Sequence, residues 1–449
     1  RKPISELGGF EAVFDGSEAP NALIGFLRGE TGHTGQASMP PQTAIARIQW
    51  KAPYPILRHH FGIPAFSIAP TVDGIAQIAE AGALDVISLG ADQDAQEHFF
   101  RTDLQNPKSK GAGGVPFRSE EDLIRLREAA QRGNYPLLRS YSGTADLLRY
   151  AEMLERTLNN AWCATSLFFF NAMDGRGPQT LGDSIRDHIA LMAWHGARDI
   201  PVEGNEPYHW GMRDAPDVIS VAASYLYAYN AKKAGVRDYI STYMFESPNT
   251  LSNRMDLAKA LAQIQVAEAF AGADFRIWRQ TRTGLLSYPV DVARARAHLA
   301  ESIYLQMTLR PSIIHIVGYT EAHHAATAAE VIESSVMAQQ VIGTALYGQP
   351  DMATDPVVQA RVAELIEESA NLIEAIRRLG ADSVADPLSD PQTLTRAVQA
   401  GLLDAPQLKR NPFARGEIRT RAINGAIRAV DAGNRPLTER QRLQELHLA

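Results

Sequence analysis

Arg198-Asp-Ile-Pro-Val-Glu-Gly-Asn205 and Asp238-Tyr-Ile-Ser-Thr-Tyr-Met-Phe245 decide the fold. Each is a strand-length run carrying apolar, β-branched or aromatic residues. Between them, Val218–Gly235 repeats its apolar positions at the spacing of an amphipathic helix. A strand, a helix and a second strand in this order form a parallel βαβ unit. Working outward, further strand-length runs lie at Ile63–Pro70, Leu84–Ala91, Pro136–Gly143, Ala164–Ala172, Ala273–Gln280 and Pro311–Gly318. Helix patterns separate them at Ala145–Leu158, Ser184–Gly196, Met255–Gly272 and Val292–Leu309, and Ala326–Tyr347 follows the last. The pattern predicts an α/β fold, a (β/α)8 TIM barrel over 63–348. An N-terminal extension precedes it over 1–62, and a C-terminal helical region follows over 349–449, with Gln359–Leu379 amphipathic and the tail from Asn411 polar. Arg58, His59 and His60 would then precede the first strand, at the floor of the barrel, where charge serves stability.

The 449 residues suffice for a large core, and a net charge of −7 without a basic stripe argues against a nucleic-acid partner. The single cysteine, Cys163, excludes an internal disulfide and reads as a small core residue. No apolar stretch has the length of a membrane span, and residues 1–9 have no apolar signal core. A cytoplasmic protein without a membrane partner is expected. Residues 92–118 are too long for an ordinary βα connection and contain a Gly-rich, basic stretch at 108–116, as a lid, docking loop or plain surface loop would.

Active sites of this fold sit where strands end at the carboxyl face. Arg139, Tyr141, Ser142 and Gly143 at one such end suit an anion such as a phosphate, or an ordinary helix cap with a surface Arg. Glu203, Asn205, Glu206, Tyr208 and Trp210 crowd a bend where an aromatic ring can stack on a planar group or pack against a loop. Glu246 follows the Asp238–Phe245 run. Arg279 and Arg282 lie at the end of the next strand, where an Arg suits a carboxylate. Tyr319, Glu321, His323 and His324 follow the last strand, and Glu321 and His323 suit hydrogen-bonding or acid–base work. No spacing supplies three metal ligands, so no metal is expected. G-x-S-x-G, Walker A and G-x-G-x-x-G signatures are absent, as is a strand-end lysine for an imine.

Gly111-Ala-Gly-Gly114, Asp122-Leu-Ile-Arg-Leu-Arg-Glu-Ala129, Tyr141-Ser-Gly143, the Asn205–Tyr208 bend, Phe245-Glu246 and Thr320-Glu-Ala-His323 occur in collinear order. In these motifs the stretch Asp85–Gly380 resembles the barrel (α) subunit of the adenosylcobalamin- and pyridoxal-phosphate-dependent aminomutases, lysine 5,6-aminomutase among them. Asn205-Glu-Pro-Tyr208 is also similar to the glutamate mutase large subunit. The resemblance is therefore to the adenosylcobalamin-dependent mutase superfamily.

The resemblance implies a cytoplasmic hetero-oligomeric isomerase. In it, this barrel caps an adenosylcobalamin carried mainly by a small Rossmann-like subunit. The D-x-H-x-x-G cobalamin motif and the Schiff-base lysine, both absent here, would belong to that partner. It further implies a 1,2-amino shift on an amino-acid substrate. Arg139 and Ser142 would hold pyridoxal phosphate, with Tyr208 stacked on its ring and Tyr141 and Asn205 beside it. Arg279 or Arg282 would hold the substrate carboxylate, and Glu246, Glu321 and His323 would contact substrate or adenosine. Gln96 and Tyr141 stand near where the glutamate mutase pattern has carboxylate-binding arginines. The alternatives are a carbon-skeleton mutase without pyridoxal phosphate, a barrel lyase or hydrolase without cobalamin, and a non-catalytic scaffold.

Overall fold

A computed structural model describes Gly16 and residues 20–27, 39–106 and 114–448. Most of the Gly-rich stretch at 108–116 and much of the N-terminal extension lie outside the described residues.

The eight barrel strands are β1 (Ile56–His60), β2 (Val86–Leu89), β3 (Leu137–Ser140), β4 (Cys163–Thr165), β5 (Val202–Gly204), β6 (Asp238–Phe245), β7 (Arg276–Thr283) and β8 (Ile313–Ile316). They form one parallel sheet in the order β3-β2-β1-β8-β7-β6-β5-β4. The ends β3 and β4 meet through the Ala161 N–H, which donates to Leu138 O at 2.9 Å. Asn160 splints the same seam. Its amide oxygen accepts from Ser140 N at 2.8 Å and its amide nitrogen donates to Trp162 O at 3.0 Å. Helices between successive strands cover the outside, so the architecture is the expected (β/α)8 barrel.

Two strand expectations need correction. The first strand is Ile56–His60, upstream of Ile63–Pro70, so residues 1–62 contain the first barrel strand. Arg58, His59 and His60 are thus barrel residues and do not sit beneath it. The floor is closed instead by the helix Ala44–Lys51, whose Ala44 and Ile48 cluster with Ile56, Val86, Leu137, Trp162, Ile240 and Ile313. The fourth strand ends at Thr165, and the apolar residues after it leave the sheet. The Glu206 carboxylate accepts hydrogen bonds from the Ser166 hydroxyl, Leu167 N (2.7 Å) and Phe168 N (3.0 Å), which turns the chain. Phe168 and Phe169 pack on Trp210, with ring centroids at 5.9 and 5.0 Å.

The C-terminal region contains the long helix Pro356–Gly380, the helix Pro391–Gln399 and a short final helix, Glu439–Glu445. It also contains an antiparallel hairpin of β9 (Thr420–Ile423) and β10 (Ala426–Ala429). The polar tail from Asn411 is tied to the barrel. Asn411 donates to Met173 O at 2.7 Å and the Ile427 N–H donates to Asp217 at 3.2 Å. Among the described residues, no helix is long and apolar enough to cross a membrane.

Candidate functional site

Side chains along a strand alternate between its two faces, so every second residue of a barrel strand points inward. Arg58 (β1), Arg139 (β3), Glu203 (β5) and Gln280 (β7) form one inner layer drawn from alternate strands. Arg58 Nη1 donates to Glu203 at 3.0 and 2.9 Å and to Gln280 Oε1 at 2.9 Å. Arg139 Nη2 donates to Glu203 at 2.9 Å, and Trp162 Nε1 does so at 2.6 Å. Gln280 in turn donates to Thr242 at 2.8 Å, and Arg58 Nε donates to Ser88 at 2.6 Å. Two residues on, along the same four chain segments, stand His60, Tyr141, Asn205 and Arg282, one layer nearer the carboxyl face. Gly204 sits between the layers because its outer side is filled. A Cβ there would lie 2.7 Å from Tyr227 and from the Tyr239 hydroxyl.

The upper layer is knit by rings. The Tyr141 hydroxyl lies 3.0 Å from His60 Nε2 and the two rings stack at 5.4 Å, while His315 of β8 approaches His60 at 4.8 Å. The Arg139 guanidinium lies 4.5 Å from the Tyr141 ring, and that of Arg282 lies 5.5 Å from the Tyr208 ring.

Charge in this interior is unbalanced. Arg58, Arg139 and Arg282 are buried, and Glu203 is the carboxylate buried among them. Burial pushes the Glu203 pKa up, but Arg139 and Arg58 with the Trp162 hydrogen bond outweigh it and hold the pKa at about 2. Burial, then Arg139, lowers Arg58 to about 10. Burial, then Arg58 and the other arginines, keeps His60 and His315 far below the usual imidazole range, so both are neutral. Arg139 Nε and Nη1, Arg282 Nε and both amide atoms of Asn205 are buried with no hydrogen-bond partner.

The structure therefore brings together Arg139, Tyr141, Asn205, Tyr208 and Arg282. The other expected residues fall elsewhere. Ser142 turns its hydroxyl to Gly143 O at 3.3 Å. Arg279 has the opposite parity to Gln280 and Arg282 and points out of the barrel, where it clasps Glu268 at 2.6 and 2.9 Å and donates to Leu309 O. It is a structural ion pair and not a substrate ligand. Glu246 faces the helix Val292–Gln306, 3.3 Å from His298 and 3.2 Å from Ser302. Glu321 is exposed on the turn after β8. Partial burial raises its carboxyl pKa, against a smaller downward pull from Arg282. His323 is exposed on the same turn. Among the described residues, no group of three or more His, Cys, Asp or Glu side chains is placed to hold a metal.

Sequence reading missed Arg58, His60, Gln280 and His315. The signal was the two-residue step from Arg58 to His60, repeated at 139/141, 203/205 and 280/282.

No family model matches the chain, and no curated protein matches it. Among solved structures it is similar to a rubisco-like protein from Burkholderia fungorum, at 14% identity over 72% of this chain and 70% of that one, TM-score 0.41. It is similar to the BexX/CysO complex of Amycolatopsis orientalis at 11% identity over 66% and 93%, TM-score 0.37. It is also similar to tryptophan synthase from M. tuberculosis at 12% identity over 64% and 92%, TM-score 0.36. These likenesses are distant, and no role passes from them to this chain.

Proposed function

We propose that this chain is the barrel subunit of an adenosylcobalamin-dependent radical isomerase and that it binds an anionic substrate in the upper half of the barrel. The observation that carries the substrate site is the charge balance: of three buried guanidiniums two share the single carboxylate of Glu203, and donors on Arg139 and Arg282 are left unpartnered. An unpaired buried charge is costly, and an anion brought in by a ligand offsets that cost. Guanidiniums packed on aromatic rings are suited to carboxylates.

The isomerase class rests on the sequence resemblance. The rim carries exposed apolar side chains suited to contact with a second subunit. Leu104 on the connection after β2, and Leu286 and Val290 on the one after β7, stand exposed there. A corrinoid held there by the second subunit would supply the radical chemistry. This chain's own residues would bind and orient the substrate, Arg139 and Arg282 as donors to its anionic groups and Asn205 beside them, within the shelter of the barrel wall. His60 and Tyr141 can hold a proton between ring nitrogen and hydroxyl beside the bound anion.

Pyridoxal phosphate fits these residues poorly. Ser142 bonds its own loop, the Thr144 N–H donates to Gln96 O, and Asp146 occupies the N-cap position of the helix Leu147–Leu158. No phosphate cradle remains, and none of the eight strands carries a lysine. The geometry thus favours a carbon-skeleton rearrangement over a pyridoxal-assisted amino shift.

The test is purification of the chain from native cells, followed by absorption spectra of what it retains. A small partner with a corrinoid spectrum and no pyridoxal band is expected. A colourless chain that also fails to bind added adenosylcobalamin with a candidate partner overturns the assignment. A pyridoxal band restores the amino shift.

A further inference from the structure

Resting on the interior anion site proposed above, we infer that the substrate is a two-centre dianion, a dicarboxylate, that carries no ammonium group. Arg139 stands on β3 and Arg282 on β7, which lie four strands apart in either direction around the ring, on facing walls. Each guanidinium has its own aromatic plate, Tyr141 for one and Tyr208 for the other. Two separated cationic ends call for two separated anionic groups, where a phosphate offers one.

In the same upper part of the barrel stand the unpartnered amide of Asn205 and the imidazoles of His60 and His315. None of these is a counter-ion for a cation. The nearby carboxylates are already engaged or lie outside the interior. Glu203 takes donors from Arg58, Arg139 and Trp162 one layer below. Glu206 takes Ser166, Leu167, Phe168 and Trp210. Glu246 faces His298 in the helix layer, and Glu321 is at the exposed rim. A further buried carboxylate, Asp174 on the loop after β4, already faces Arg176 and Arg213 at 3.6 and 3.7 Å, so an α-ammonium would sit among three guanidiniums without a free counter-ion. Like charges at such separations repel, and burial weakens the screening. This departs from the amino-acid substrate expected from the sequence.

The experiment is calorimetric titration of the full chain with glutarate, L-glutamate and inorganic phosphate, repeated on Arg282→Gln. Glutarate should bind at least about tenfold tighter than L-glutamate and than phosphate. Arg282→Gln should lose about tenfold or more for glutarate. L-glutamate binding as tightly as glutarate overturns the exclusion of ammonium and leaves the anion site standing. Phosphate binding tighter than glutarate overturns the two-centre reading. Glutarate affinity unchanged in Arg282→Gln places the ligand elsewhere and overturns the inference. No binding of any of the three overturns both the inference and the interior anion site beneath it.

Discussion

Arg139 donates one hydrogen bond of 2.9 Å to Glu203, two strands round the barrel, and keeps Nε and Nη1 buried without partners. Glu203 has the opposite surplus, since it also receives Arg58 and Trp162. With its pKa held at about 2, it is an ion throughout the physiological range and serves as the counter-ion of the layer.

The first prediction concerns that counter-ion. Glu203→Gln keeps the shape but leaves Arg58 and Arg139 buried without a negative partner. Removing one member of a buried pair costs about 3–5 kcal/mol. Urea unfolding should show a loss of that size. A loss under about 1 kcal/mol would mean that water reaches the layer and screens it.

A second prediction follows from the neutral imidazoles. Burial lowers His59, His188 and His195 to about 4 from the ordinary 6.5. Between these values the unfolded chain binds more protons than the folded one, so stability must rise with pH there. It is complete above about pH 6.5, declines as pH falls towards 4, and levels off below. Each histidine contributes at most about 1.4 kcal/mol per pH unit. Melting temperatures recorded from pH 7.5 to 4.5 should fall steadily, and His188→Gln should flatten the slope. A flat profile in the parent would refute the buried neutral state.

The barrel was legible because most of its strand–helix units obey the ordinary rules. Asp238–Phe245 is buried along its whole length and reads as a continuous strand, the mark of a parallel sheet covered on both faces. β1 was not legible because Ile56-Leu-Arg-His-His60 places Arg58 and His60 in the interior, where the pattern rule expects apolar side chains, while the apolar stretch after it is loop. Local rules fail where an interior is polar for a purpose. The site was half legible for the same reason. Arg139, Asn205, Tyr208 and Arg282 stand at readable strand ends. Their partners Arg58 and His60 were hidden with their strand. Glu246 and Arg279 also lie at strand ends, and the direction of a side chain there is set by parity and by the facing helix.

A third prediction tests Glu246. Its contact raises the His298 pKa above 6.5, with burial working against it. The raised value means that the pair stabilises the fold fully below pH 6.5 and loses that contribution as pH rises through the folded pKa. Both groups are partly exposed, so the energy is about 1 kcal/mol or less. NMR titration should show the His298 resonance moving above pH 6.5, and Glu246→Gln should return it towards the ordinary value. Glutarate affinity should be unchanged, because this pair faces the helix layer. A large loss of affinity in Glu246→Gln would restore Glu246 to the ligand site.

The last prediction separates two arginines on one strand. Arg279 points outward, half exposed, with both oxygens of Glu268 as partners. Arg282 points inward and is buried, with its Nε unpartnered over Tyr208. Arg279→Ala should therefore cost about 1 kcal/mol of stability, a value discounted for solvent screening, and leave anion affinity within about twofold. Arg282→Leu removes a buried charge that lacks a full set of partners, so stability should hold or rise by about 1 kcal/mol, while glutarate affinity falls at least about tenfold. Loss of function together with a gain in stability is the signature of a residue kept for its ligand. If Arg282→Leu instead unfolds the chain and Arg279→Ala abolishes binding, strand parity has been assigned the wrong way round, and with it the interior site.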